Sequence, residues 1–232
     1  MKFVAALVLG MIFGAVLFVL AMIYNPLSGD TRVSPLAVTD ADVISLSYPV
    51  VPSESIAYTN DGESTQQPYP AKVPQLWEPP VRQTSALVTV MNDARGAPAG
   101  FGVKLSSRSE DSELLRGRVL VDSVWYIYLP RKGGFFIGQT ENYWEFLRQV
   151  AFPAWRSSAN TWRGTWVGDV TAGPGALGTA YAFGTSGQLR GLDMEAVESL
   201  SVQAFSSDRG FIAAEGRLLI ALPEAAAEQA VD

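Results

Sequence analysis

Residues 3–24, from Phe3 to Tyr24, are 22 consecutive positions without a charge or a proline. No other stretch restricts the fold so strongly, because an apolar run of that length must be covered by lipid or by protein. As an α-helix rising 1.5 Å per residue it would reach about 33 Å, against a hydrocarbon core of roughly 30 Å. Tyr24 stands where an interfacial aromatic belongs, and Asn25-Pro26 stops the helix. The run predicts a single transmembrane helix over residues 1–24. Lys2 precedes it, while Asp30 and Arg32 cancel after it. The positive-inside rule then places the N-terminus in the cytoplasm and the bulk of the chain on the periplasmic side of a bacterial inner membrane. A cleavable signal peptide is the rival reading, with Val19 and Ala21 before a cut, but no polar region precedes that site. Ala6, Gly10 and Gly14 recur every four residues, a spacing that lets a second membrane helix approach closely.

Residues 25–82 differ in kind. Nine of the fourteen prolines lie here, and seven acidic residues face three basic ones. That composition predicts an extended, acidic, proline-rich strap or spacer without a core of its own. Short apolar patches, Val43-Ile44-Ser45-Leu46 and Val73-Pro74-Gln75-Leu76-Trp77, are the places where it would dock on a partner.

A folded domain is expected over 83–223, followed by an acidic tail over 224–232. Strands are predicted at 85–90, 118–129, 161–170, 177–183, 197–205 and 211–222, from alternation between glycine-rich turns. Phe135-Phe136-Ile137 reads as the return of a hairpin across Pro130-Arg131-Lys132-Gly133-Gly134. Thr140 reads as the N-cap of one short helix ended by Pro153. The expected fold class is mainly β: a transmembrane helix, an extended strap, and an antiparallel sandwich or small barrel carrying one short helix.

The chain has no cysteine and no histidine. This excludes disulfides, thiolate or imidazole metal sites, and every triad or base built on histidine. No cofactor and no metal ligand set is expected; Asp40-Ala41-Asp42 and Asn60-Asp61-Gly62 are only fragments of a calcium loop. A net charge of −6 argues against a nucleic-acid surface. Glu141 with Glu145, and Asp193 with Glu195 and Glu198, are the carboxylate groupings left for acid–base work; a solvated face is the ordinary explanation for such pairs. Trp77, Trp125, Trp144, Trp155, Trp162 and Trp166 are candidates for a partner or ligand surface, against the simpler reading that they fill the core.

These features predict a non-catalytic accessory subunit that stabilises a larger membrane complex, of the respiratory or photosynthetic kind. Its partners would be integral membrane proteins, reached through the helix and residues 25–82, together with membrane lipid. A tethered periplasmic module for an apolar ligand or lipid is the alternative, and a carbohydrate-active enzyme the third.

Overall fold

The computed structural model describes residues 2–23, 43–50, 57–58 and 84–223. Its strands are β1 (Val43–Val50), β2 (Ala57–Tyr58), β3 (Ser85–Asn92), β4 (Pro98–Arg108), β5 (Leu120–Leu129), β6 (Gly133–Asn142), β7 (Thr161–Asp169), β8 (Ala180–Gly184), β9 (Asp193–Ser206) and β10 (Gly210–Ala221). Eight of them close an antiparallel barrel in the order β1-β10-β9-β8-β6-β5-β4-β3, with β1 meeting β3 where Ser47 opposes Asn92. The sandwich-or-barrel alternative resolves to a barrel.

The barrel takes its first strand from the stretch expected to be a tether. In β1, Ile44, Leu46 and Tyr48 are buried while the residues between them are partly exposed, the two-residue period of a half-buried strand. Overall composition hid that short alternation, so the expectation that 25–82 lacks any core is corrected for residues 43–50. The remainder of the strap, Trp77 included, lies outside the described residues apart from β2. The interior holds Met91, Trp125, Ile127, Phe135, Ile137, Leu218 and Ile220, all almost fully buried.

Strand β4 escapes sequence reading for a related reason. Its inward Gly102 has no side chain because a Cβ there would collide with Met91 and with the Trp125 ring. Two large inward side chains take the volume that Gly102 leaves, so the strand shows glycine where a core residue is expected.

Strands β9 and β10 are the longest, and β7 pairs β9 alongside the barrel. Over them packs α2, which runs from Trp144–Phe146 through a π-turn at Leu147–Ala151 to Phe152–Arg156. Phe146, Val150, Trp166, Val170, Leu200 and Val202 form a second small core between them. Thr140 is not the helix N-cap: it belongs to β6, whose ladder with β5 continues to Asn142.

The helix α1 (Lys2–Ile23) forms where the apolar run predicts it. The membrane crossing is not supported, because among the described residues no helix is long and apolar enough to span a bilayer. The single-pass inner-membrane placement, with its cytoplasmic N-terminus and periplasmic bulk, is corrected accordingly. Ala6, Gly10 and Gly14 are exposed, with open space beside both glycines.

Closure of the barrel sets a test. A Cβ at Gly216 of β10 would strike the buried ring of Tyr48 on β1. Gly216→Val should therefore destabilise the barrel by about 2 kcal/mol or more, measured by urea unfolding. An unchanged midpoint would show that β1 is not seated on β10.

A buried charged cluster as candidate functional site

Alternation along β4, β5, β6 and β9 points Lys104, Ser123, Gln139, Glu141 and Glu198 into the barrel. Tyr48 enters from β1. Lys104 is 7 % exposed and both glutamates are fully buried. Burying three ionisable groups is costly unless each is paired and hydrogen-bonded. Here each is.

The Lys104 ammonium lies 2.8 Å from Glu141 Oε1 and 2.8 Å from Glu198 Oε1. Glu198 also accepts from the Tyr48 hydroxyl, from Trp125 Nε1 at 3.1 Å and from Gln139 Nε2. Glu141 accepts from the Ser123 and Tyr143 hydroxyls, and from Gln139 Nε2 at 3.0 Å. An outer layer fixes the glutamine: Thr171 donates to Gln139 Oε1 at 3.0 Å and accepts from the Glu198 backbone N–H at 2.7 Å. Lys104 stands 5.3 Å from the centre of the Trp125 ring, whose edge meets Tyr48 at 4.9 Å between centroids. The residue Tyr143 is half-buried, but its hydroxyl turns inward onto Glu141.

The electrostatics fix the protonation states. Burial pushes the Glu198 carboxyl up, yet the attraction of Lys104 and the hydrogen bonds from Lys104, Tyr48 and Trp125 together hold it below its ordinary value. Burial pulls Lys104 down, and the two glutamates outweigh it, so its ammonium is held above the ordinary lysine value. Burial, with the neighbouring carboxylates, pushes the Tyr48 and Tyr143 phenols well above theirs. At neutral pH Lys104 is charged, Glu198 is ionised and both tyrosines are protonated donors. Such a set of charges and dipoles is fixed; these four groups do not exchange protons near neutrality.

The sequence reading flagged Glu141 and Glu198, but in separate surface groupings. The structure corrects this: they are buried and share one ammonium, whereas Glu145 sits on α2 bonded to Arg148 and Gln149. Asp193 and Glu195 point outward. Of the candidate tryptophans, Trp125 belongs to the cluster, Trp144 and Trp166 are buried, Trp162 borders the second core, and Trp155 is 65 % exposed. Lys104, Tyr48, Ser123, Gln139 and Thr171 were not foreseen. The one local signal is on β4, where Phe101, Val103 and Leu105 share the face opposite Lys104, and ordinary patterning would bury those three and expose the lysine.

No family model matches the chain, and no curated protein matches it. Among solved structures it is similar to a nonspecific heme-binding cyclase that catalyses a cycloaddition in neoabyssomicin biosynthesis (8% identity, 80% of this chain and 70% of that one, TM-score 0.39). It is also similar to a Diels–Alderase from Streptomyces koyangensis (10% identity, 81% and 72%, TM-score 0.37). Both are enzymes, but likeness at this level carries no argument about chemistry. The expectation of a non-catalytic membrane accessory subunit is nonetheless corrected. No membrane-crossing helix is found among the described residues, and the β domain buries a lysine, two glutamates and a tyrosine in one cluster.

Removing the shared cation tests the cluster. Lys104→Met removes the cation that Glu141 and Glu198 share, and should cost about 3–5 kcal/mol by analogy with broken buried ion pairs. The pH dependence follows from the directions above. Glu198, depressed when folded, contributes stability that is fully present above its ordinary 4.5 and is lost as pH falls through its folded value. Lys104, raised when folded, contributes stability that is fully present below its ordinary 10.5 and is lost as pH rises through its folded value. Denaturant unfolding across pH should show acid loss below pH 4.5 that Glu198→Gln reduces.

Proposed function

We propose that the barrel is a small-molecule enzyme that uses Lys104 as a fixed hydrogen-bond and electrostatic donor to a neutral, carbonyl-bearing, mostly apolar substrate. The observation that carries this reading is the shared ammonium itself. Ion triads buried in proteins are commonly neutral or unfavourable for stability compared with well-packed apolar residues. Their retention fits a site better than a core.

Three details support the substrate class. The Lys104 side chain is 8 % exposed, against none for either glutamate. Two of its three N–H bonds go to carboxylates, and among the described residues no acceptor takes the third. One cation held between two acidic side chains has little pull left for an anion, which favours a neutral acceptor such as a carbonyl oxygen. Above the cluster, inward-facing Leu87, Ser106 and Val121 are only half-buried, so this end of the barrel is less tightly filled than the end around Phe135 and Ile127.

The mechanism follows from the locked protonation states. Charge developing on a substrate oxygen would be stabilised by a preorganised donor in a low-dielectric setting. Gln139, Tyr48 and Ser123 act as positioning residues: by binding the glutamates they hold the ammonium in place. A second reading, in which the cluster only specifies strand register, is favoured by the hydrogen bonds that reach all four carboxylate oxygens.

The triple variant Lys104→Met, Glu141→Gln, Glu198→Gln separates the two, since it removes the charges while keeping shape and acceptors. On the enzyme reading it unfolds at or above the parent midpoint, and it no longer shows the Trp125-dependent fluorescence change on titration with hydrophobic ketones, lactones and enones. A loss of more than about 3 kcal/mol of stability would make the cluster a folding device and sink the proposal.

A further inference from the structure

The outside of this barrel is as unusual as the inside. Strands β3, β4, β5, β6 and β8 present a common outer face whose ladder registers align their side chains in rows. The central row is Val88, Val103, Tyr126, Phe136 and Phe183. Val90, Phe101 and Tyr128 flank it on one side, and Leu105, Val124 and Tyr181 on the other, the last two on either side of Gly138. No charged residue falls in the three rows. Nine of their large side chains are between 36 % and 70 % exposed. Taking large side chains at roughly 150–250 Å² apiece, they offer on the order of 900 Å² of apolar surface. The largest apolar patch on a monomer is about 300–600 Å².

We infer that this face is the interface of a two-fold homodimer. Its area matches the roughly 800 Å² per partner that a standard stable interface buries. An isologous contact requires a ridge and a groove on the same face. Phe136, Phe183 and Tyr126 make a ridge, with Tyr126 and Phe136 4.9 Å apart between centroids. Beside it lies an open groove of about 450 Å³ lined on this face by Leu105, Val124, Gly138 and Tyr181 and at its far end by polar residues that include Asp122 and Thr140, with nothing within 4 Å of a Cβ built on Gly138. A two-fold axis running across the strands seats each copy's ridge in the other's groove. The same operation brings exposed Asp122, at one end of the face, towards the Arg131-Lys132 turn at the other. The inverted patterning of β4 has the same explanation: Lys104 faces the interior cluster, and Phe101, Val103 and Leu105 face the second copy.

Sedimentation equilibrium of the full chain in density-matched mild detergent tests this. A dimer is expected at micromolar concentration, and Phe136→Lys should raise its dissociation constant by at least about 100-fold without lowering the unfolding midpoint. Should Phe136→Lys fail to fold, Val88→Lys on β3 serves the same purpose. Because the chain has no cysteine, Val88→Cys carries a single spin label, and short distances between labels of two copies place the contact on this face. Dimerisation that survives Gly10→Leu with Gly14→Leu supports the face over the helix. A monomer overturns the proposal, as does a dimer indifferent to Phe136→Lys and Val88→Lys. So does a monomer that dimerises only when residues 60–82 are deleted, or one that binds lipid vesicles through Phe136; these would assign the face to the chain's own segment or to a lipid surface.

Discussion

Glu198 joins more of this molecule than any other side chain. From β9 it accepts hydrogen bonds from Tyr48 on β1, Lys104 on β4, Trp125 on β5 and Gln139 on β6. Five of the eight barrel strands therefore meet at one buried carboxylate, and the pairings range over 59 to 150 residues of sequence separation. An unpaired charge there would be far too costly to keep, so strand order, register and closure all have to be right before the site is satisfied. The barrel and its candidate site are in this sense one structure.

The cluster also divides the interior. On one side lies a dense apolar core of Phe135, Ile127 and Ile137 with Leu218 and Ile220. On the other the filling is looser, and α2 with β7 adds a separate core over the extended ends of β9 and β10. The apolar core packs around Trp125, and Lys104 lies over its ring. Fixed charge in a dry setting is suited to stabilising polarity and not to passing protons, which suits a chain that has no histidine.

Legibility in the sequence followed locality. Strands with plain alternation and glycine turns, such as β5 and β10, could be read close to their ends. The short alternation of β1 was lost within a proline-rich acidic stretch, and β4 was lost because Gly102 makes room for Met91 and Trp125 while its apolar residues point outward. Glu141 and Glu198 were visible as acidic residues, but each had been grouped with its sequence neighbours. Their true partner, Lys104, lies 94 residues from Glu198. The apolar run at the N-terminus gave a helix where one forms, but not a membrane span among the described residues.

By itself the sequence determined a mainly β antiparallel domain with one short helix, and it excluded histidine and thiol chemistry, because period and residue type are properties of local segments. Only the tertiary structure decided that the sheet closes through β1 and β3, that Lys104 is shared by Glu141 and Glu198, and that an apolar face is left on the outside. Those depend on which strands become neighbours, and strand neighbours are chosen by satisfying the whole barrel at once.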